Sequence, residues 1–260
     1  MNQTSADLTA LYVYCFTEAD GSGPAHAEGL DGAEVASLEA KDLRAYAHWC
    51  EPRPYASEDA DVVKRWVAEH HRVVSEVWRQ ADAVLPATFN TIVQGGEDGD
   101  ASAHLENWLE QESPRLKDQL RLLAGRSEYG IQTFWDSASY EREIADTQRR
   151  LESERESNRP SSRGLAYLHQ QRLKRGLHEQ ITSRARDLFK TCYEPVVRCS
   201  DRVRVEEAKS ASSDSPALMN VSCLATSEQF RRLSVELEAL ETKEGVCVRV
   251  VGPFPPYSFV

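Results

Sequence analysis

The sequence has no apolar stretch approaching the roughly 18 residues that a membrane-spanning helix needs. Its first nine residues contain no Lys or Arg and no apolar core, so they lack the pattern of a secretory signal peptide. With 40% hydrophobic and 28% charged residues, the composition is typical of a soluble globular protein. We therefore expect a soluble, cytoplasmic protein with no membrane partner.

Cysteine is scarce, and its six occurrences form no CxxC pair. Neither a disulfide scaffold nor a zinc ribbon is supported by that spacing, so free thiols are expected. Cys15, Cys223 and Cys247 lie inside apolar, strand-like stretches, where a thiol packs as a small hydrophobic side chain.

The first half of the chain contains few basic residues. Residues 1–125 hold 22 Asp and Glu against 10 Lys and Arg, whereas the remainder holds 20 against 21. An acidic surface repels phosphate backbones, so the first half is a poor candidate for binding DNA or RNA. We expect no nucleic-acid partner.

Motifs for metal binding are incomplete. His178 and Glu179 begin like the zinc motif HExxH, but Thr182 stands where the second His belongs. His70 and His71 are neighbours on a predicted helix and point about 100° apart, so they cannot form one metal-binding face. We expect one of them in the core and the other in solvent.

Catalytic motifs are missing as well. The segment His48-Trp49-Cys50 contains two possible metal ligands, His48 and Cys50, but no second pair of ligands follows it. Residues 95–100 lack the Lys-Ser/Thr of a P-loop and the spaced carboxylates of an EF-hand, and favour a solvated turn. Asp136, Ser137 and Ser139 have no GxSxG setting, and Asp136-Ser137 is typical of a helix cap. We predict no catalytic residue, no metal and no cofactor.

Strand and helix patterns alternate along the first half. Aromatic, β-branched or alternating apolar residues predict strands, and apolar residues at helical spacing predict helices. The predicted strands are 11–17, 34–40, 43–49, 83–93 and 128–135, and the predicted helices are 59–80 and 105–123, the second kinked or restarted at Pro114. This order predicts an α+β fold with a ferredoxin-like N-terminal domain over residues 1–127.

The second half begins with a polar segment that cannot be stable by burial alone. Sparse apolar residues at helical spacing over 137–158 and 165–188 predict an antiparallel helical hairpin, an arm spanning about 137–190. Strand patterns return at 202–207, 218–224 and 246–251, around a helix with a capping box at Thr226 and Gln229. We expect a C-terminal α+β domain over 128–260 that contains this arm.

The final nine residues form a tail without charged side chains, in which three aromatic residues stand beside three prolines. Proline restricts the chain to extended forms, so the rings can pack into a groove at a reduced entropic cost. Two interpretations remain open: the tail covers the core of its own domain, or it binds a partner. We favour the first, with the Tyr257 hydroxyl hydrogen-bonded.

The tail GPFPPYSFV also resembles the GPWPPYSFV ending of the GvpL/GvpF gas vesicle proteins, with Phe254 in place of Trp. Further blocks are similar to that family in the same order: LYVY at 11–14, VLPATF at 84–89, EYGI at 128–131, GLAYL at 164–168 and the strand at 219–224. The sequence departs from the family pattern at Thr88, where Arg is common, at Asn90, where Gly is common, and at residues 221–223, where Ala-Ala-Tyr is common.

The resemblance implies an accessory or minor structural protein of gas vesicles, located in the cytoplasm and on the vesicle. It implies that the chain is required for vesicle formation through contacts with the small hydrophobic shell protein and other accessory proteins, and it brings no catalytic residues. The alternatives are a cytoplasmic enzyme with an unrecognised α+β active site, and a chaperone-like binding module that acts only during assembly. The oligomeric state stays open.

Overall fold

The computed structural model describes residues 9–19, 27–96, 100–136, 140–142, 144, 146, 163–207, 217–243 and 245–260. The chain forms two compact units: a first unit of residues 1–128 with 253–260, and a second unit of residues 129–252. Within the described ranges, no helix is long and apolar enough to cross a membrane. The predicted α+β class, with two sheets and their helices, is confirmed.

The first unit is built around one antiparallel sheet. Its strands follow the order β2-β3-β4-β1-β5, and β6 also pairs with β1. The elements are β1 (Ala10–Glu18), β2 (Ala27–Glu28), β3 (Glu34–Ala40), β4 (Leu43–Cys50), α1 (Ala60–Trp78), β5 (Leu85–Pro86), β6 (Ile92–Gln94) and α2 (Ala101–Leu123). Asp59 caps α1 and Asp100 caps α2 through side-chain hydrogen bonds to backbone N–H groups.

Strand β1 lies at the centre of this sheet because its sequence is apolar on both faces. Every side chain from Ala10 to Thr17 is at most 8% exposed. Tyr12 packs with the valines of α1 in one cluster, whereas the Phe16 ring lies 5.2 Å from the Trp108 ring of α2. Helices therefore cover β1 from both sides, which explains its continuous run of apolar residues.

Two local predictions for the first unit need comment, and the first of them is wrong. The predicted strand 83–93 is divided into β5 and β6, because Pro86 has no backbone N–H and Asn90 adopts a left-handed conformation with φ of 69°. Of the two alternatives predicted at Pro114, the restart does not occur because α2 continues through it, and the kink stays a prediction.

The second unit contains most of a second sheet, in the order β10-β7-β9-β8. Its elements are β7 (Arg126–Trp135), α3 (Arg163–Arg198), β8 (Arg202–Val205), β9 (Ala217–Thr226), α4 (Ser227–Glu241) and β10 (Val246–Phe254). The buried leucines of α4 pack on β9 together with Cys192 and Val196 of α3. The capping box of Thr226 and Gln229 is confirmed by both of its hydrogen bonds.

The second helix of the predicted arm is present as α3. Most of the predicted first helix lies outside the described residues, although residues 140–142, 144 and 146 are helical. At the base of the arm, the Tyr140 ring lies 5.6 Å from that of Trp135, in a cluster with Ile181 and Leu188 of α3. These contacts are those expected of a helical pair packed at its base.

The predicted domains differ from the compact units in one respect. The structure groups residues 253–260 with the first unit, whereas the prediction placed them in the domain 128–260. As a statement about which segments fold independently, the division into 1–127 and 128–260 stays a prediction.

Candidate functional site

The sequence-predicted ligand residues do not come together in the described parts of the chain, where no group of three or more His, Cys, Asp or Glu could hold a metal ion. His48 is buried on β4, whereas the neighbouring Trp49 is 42% exposed. His178 and Glu179 are exposed on α3. Residues 97–99, Ser137 and Ser139 lie outside the described residues.

The cysteines follow the prediction with one exception. All six are free thiols, and Cys15 and Cys223 are fully buried among apolar side chains. Cys247 is exposed, so its predicted burial is wrong. The reason is its strand: β10 lies at the edge of the second sheet, where alternate side chains face solvent.

A cluster of tyrosine and histidine side chains occupies the core of the first unit. The Tyr14 hydroxyl accepts a hydrogen bond from the Leu30 N–H at 2.8 Å and lies 2.8 Å from Nδ1 of His48. Nε2 of His48 is 2.9 Å from the Tyr55 hydroxyl. Because the Tyr14 proton has His48 as its acceptor, we assign the proton of the imidazole to Nε2, which then donates to Tyr55.

A second pair repeats this arrangement beside the first. The Tyr12 hydroxyl accepts from the Asn90 N–H at 3.2 Å and lies 2.9 Å from Nδ1 of His70. Nε2 of His70 is buried and has no hydrogen-bond partner among the described residues. Burial lowers the pKa of His70, and the Ala87 backbone opposes that shift by raising it.

Burial controls the protonation of this cluster. It lowers the pKa of both His48 and His70 to about 4 and raises the pKa of Tyr55 to about 12. His48 is 1% exposed and His70 is 4% exposed, so both are neutral and out of reach of a substrate. The cluster is therefore a hydrogen-bonded core element. The prediction that one of His70 and His71 lies in the core is confirmed for His70, whereas His71 is half-buried rather than in solvent.

The C-terminal tail packs against the first unit. Pro255, Pro256 and Phe259 are buried. The Ser258 N–H donates to Oε2 of Glu128 at 2.7 Å, and the Ser258 hydroxyl donates to Oε1 at 2.6 Å. Glu128 is only 8% exposed, so these two hydrogen bonds compensate the burial of its carboxylate.

The aromatic side chains of the tail meet helix α1. The Tyr257 hydroxyl lies 3.0 Å from Nδ1 of His71, and the Phe254 ring centre lies 5.9 Å from that of His71. The tail therefore packs on its own chain, and the predicted hydrogen bond of Tyr257 is confirmed. The tail belongs to the first unit, however, and not to the predicted C-terminal domain 128–260 whose core it was expected to cover. The sequence did not indicate that Glu128 accepts the hydrogen bonds of Ser258, because nothing in the motif EYGI points to the tail.

Comparison with known proteins gives one consistent result. Residues 10–260 match the family described as "Gas vesicle synthesis protein GvpL/GvpF". The chain is 32% identical to gas vesicle protein L1 of Halobacterium salinarum, over 99% of this chain and 92% of that protein. It is 28% identical to gas vesicle protein L of Haloferax mediterranei, over 89% of this chain and 72% of that protein.

Solved structures support the same fold. The GvpF structure from Anabaena sp. superposes with a TM-score of 0.73 at 18% identity, covering 96% of this chain and 98% of that chain. The GvpF structure from Microcystis aeruginosa superposes with a TM-score of 0.66 at 16% identity, with the same coverage. Because the family match extends through the aromatic and histidine core to the buried tail, the chain belongs to the GvpL/GvpF gas vesicle protein family.

Proposed function

We propose that this chain is a non-enzymatic accessory or minor structural protein of gas vesicles, needed for their formation. The observation that carries the proposal is the family match, which covers residues 10–260 and so nearly the whole chain. In this proposal the chain works in the cytoplasm and on the vesicle, by binding the shell protein and other accessory proteins.

The chemistry of the core supports a binding role over a catalytic one. Enzymes use titratable groups that are accessible to substrate and have a pKa near the working pH. The buried His48 and His70 fit neither condition, since burial lowers the pKa of each to about 4. Their hydrogen bonds to tyrosine hydroxyls serve to fix the centre of the first unit.

The test is deletion of the gene in a strain that forms gas vesicles. We expect the deletion strain to lose buoyant, light-scattering vesicles and to regain them when the full-length gene is supplied on a plasmid. A deletion strain that floats and scatters light like its parent would refute the proposal.

A second measurement separates a shell component from an assembly factor. Isolated vesicles are washed in buffer and then in 6 M urea, and the bound protein is detected by immunoblotting. A structural component stays with the washed shell, whereas a factor that acts only during assembly is found in the soluble fraction.

A further inference from the structure

The outer edge of β10 presents backbone groups that the second sheet does not use. The backbone N–H of Asp136 donates to the Gly245 carbonyl at 2.8 Å, where β7 ends beside the start of β10. Hydrogen-bonded pairs recur at every second residue of an antiparallel ladder, so the backbone groups of Arg249 face β7. Those of Val248 and Val250 therefore face away from the described sheet.

An apolar groove runs beside this edge. It has a volume of about 220 Å³ and lies between β10 and α4, with Phe230, Ser234 and Leu237 on the helix side and Val248 and Val250 on the strand side. Val250 is 40% exposed, so the apolar surface is open to solvent. A strand added to β10 would direct every second side chain into this groove.

The wall of the groove at Phe230 is fixed in place. The Phe230 ring stacks on Tyr129 of β7 with ring centres 3.7 Å apart and planes 2° from parallel. A rigid aromatic wall loses little side-chain entropy when a partner binds, which favours recognition at this position.

The other end of the groove is acidic. Glu238 and Glu241 line it, and neither Lys nor Arg is among its described lining residues. Oε1 of Glu241 accepts the outward Val248 N–H at 3.4 Å, a long hydrogen bond. A basic side chain on an added strand would pair with these carboxylates and release the Val248 N–H for pairing with the strand.

The opposite edge of the sheet does not share these features. On β8, Arg202 and Arg204 are exposed on a strand of four residues. Short strands that carry charged side chains are the common protection of a sheet edge against pairing. The two edges therefore differ, and only β10 combines outward backbone groups with an apolar groove among the described residues.

We propose that the outer edge of β10 is a strand-addition site for an extended segment of another gas vesicle protein. The segment carries an apolar side chain facing Phe230 and Val250, and a Lys or Arg two residues away facing Glu238 and Glu241. The class of partner rests on the proposed function, whereas the pattern of the segment rests on the groove alone.

Peptide binding to the full chain tests the groove. The probe is a fluorescein-labelled peptide TKTVTVTKT, which presents the same alternation in both chain directions, and the control peptide TETVTVTET replaces Lys with Glu. We expect the Lys peptide to bind at least tenfold more tightly in a fluorescence anisotropy titration, and to slow hydrogen exchange at the Val248 and Val250 amides. Equal binding of the two peptides, or no protection at β10, would overturn the proposal.

Matched variants locate the binding. Ser234→Trp fills the groove and should weaken binding of the Lys peptide at least tenfold, whereas Val235→Trp, at a neighbouring position that is 65% exposed, should not. Glu238→Lys changes an exposed side chain that carries no core packing, and should abolish the preference between the two peptides because the Glu241 carboxylate then lies beside a new ammonium group. If Ser234→Trp and Val235→Trp bind alike, or if Glu238→Lys keeps the original preference, the site is wrong.

Two further measurements keep this inference separate from the proposed function. If deletion of the gene abolishes vesicles and the Ser234→Trp and Glu238→Lys genes restore them fully, the strand-addition site fails and the proposed function stands. If the deletion has no effect on vesicles, the proposed function fails, and with it the assignment of a vesicle partner. Sedimentation that shows self-association lost in Ser234→Trp would make a second copy the occupant and would also overturn the assignment.

Discussion

Replacing Phe259 with Ala should destabilise the first unit, because this side chain anchors the tail in its core. Phe259 is 8% exposed. Core Phe→Ala substitutions cost about 3 to 5 kcal/mol, and about 3 kcal/mol is expected here because Phe259 is not completely buried. For a unit of this size the melting temperature should fall by about 10 °C.

The assay is thermal unfolding followed by tryptophan fluorescence. The sequence has five tryptophans, and all except Trp135 belong to the first unit, so the signal reports mainly on that unit. Val260→Ala is the matched control, because Val260 is adjacent in the tail but 50% exposed. Its effect should stay within about 0.5 kcal/mol.

The reasoning fails if Phe259→Ala and Val260→Ala melt within about 1 °C of each other. Burial of Phe259 would then contribute nothing to folding, and the tail would be available to bind a partner. Truncation after Gly252 extends the test, since it also removes the Ser258 hydrogen bonds to Glu128. It should lower the melting temperature more than Phe259→Ala does.

Three other predictions follow from the same structure. Lowering the pH from 6.5 to 4 should reduce the free energy of unfolding. Burial lowers the pKa of His48 and His70 in the folded chain to about 4, whereas a histidine of the unfolded chain has a pKa of about 6.5. In this pH range the unfolded chain therefore binds more protons than the folded chain, which favours unfolding. Urea unfolding measures this, and an unchanged pH slope in His48→Gln would contradict it. Leu177→Asp, at a half-buried position of α3, should speed proteolysis of the arm and leave the melting temperature of the first unit unchanged. The exposed control Thr182→Asp should alter neither the proteolysis nor the melting temperature. Equal proteolysis of the two variants would refute the hairpin. Elemental analysis of the dialysed protein should find no zinc or calcium near one ion per chain, and a stoichiometric metal would show that a ligand set was overlooked.

Elements with strong local signals were predictable from the sequence. The predicted helix 59–80 corresponds to α1, Ala60–Trp78, because its apolar stripe and the capping residue Asp59 are both local features. The strand predicted at 11–17 corresponds to β1, Ala10–Glu18. In each case neighbouring residues supply the information, and no distant contact is needed to place the element.

The predictions failed where one residue or a distant partner decides the structure. Asn90 accepts a hydrogen bond from the Tyr55 N–H through its side chain and adopts positive φ, which separates β5 from β6. That contact joins residues far apart in sequence, so no pattern within 83–93 could reveal it. The pairing of Tyr14 with His48 was missed for the same reason, because aromatic residues on a strand predict only burial.

The course of the chain through the two units has a consequence for synthesis. A ribosome makes residues 1–128 first, but the segment 253–260 that completes the first unit emerges only after the whole of the second unit. Domains ordinarily fold as they leave the ribosome, in order from the N-terminus. Here the first unit must wait with the binding surface for Phe259 unfilled while about 120 further residues are made, and a product shortened by a premature stop never completes it. A chain interrupted before residue 253 therefore leaves the contact surface of the tail exposed, which is the kind of surface that chaperones and proteases recognise.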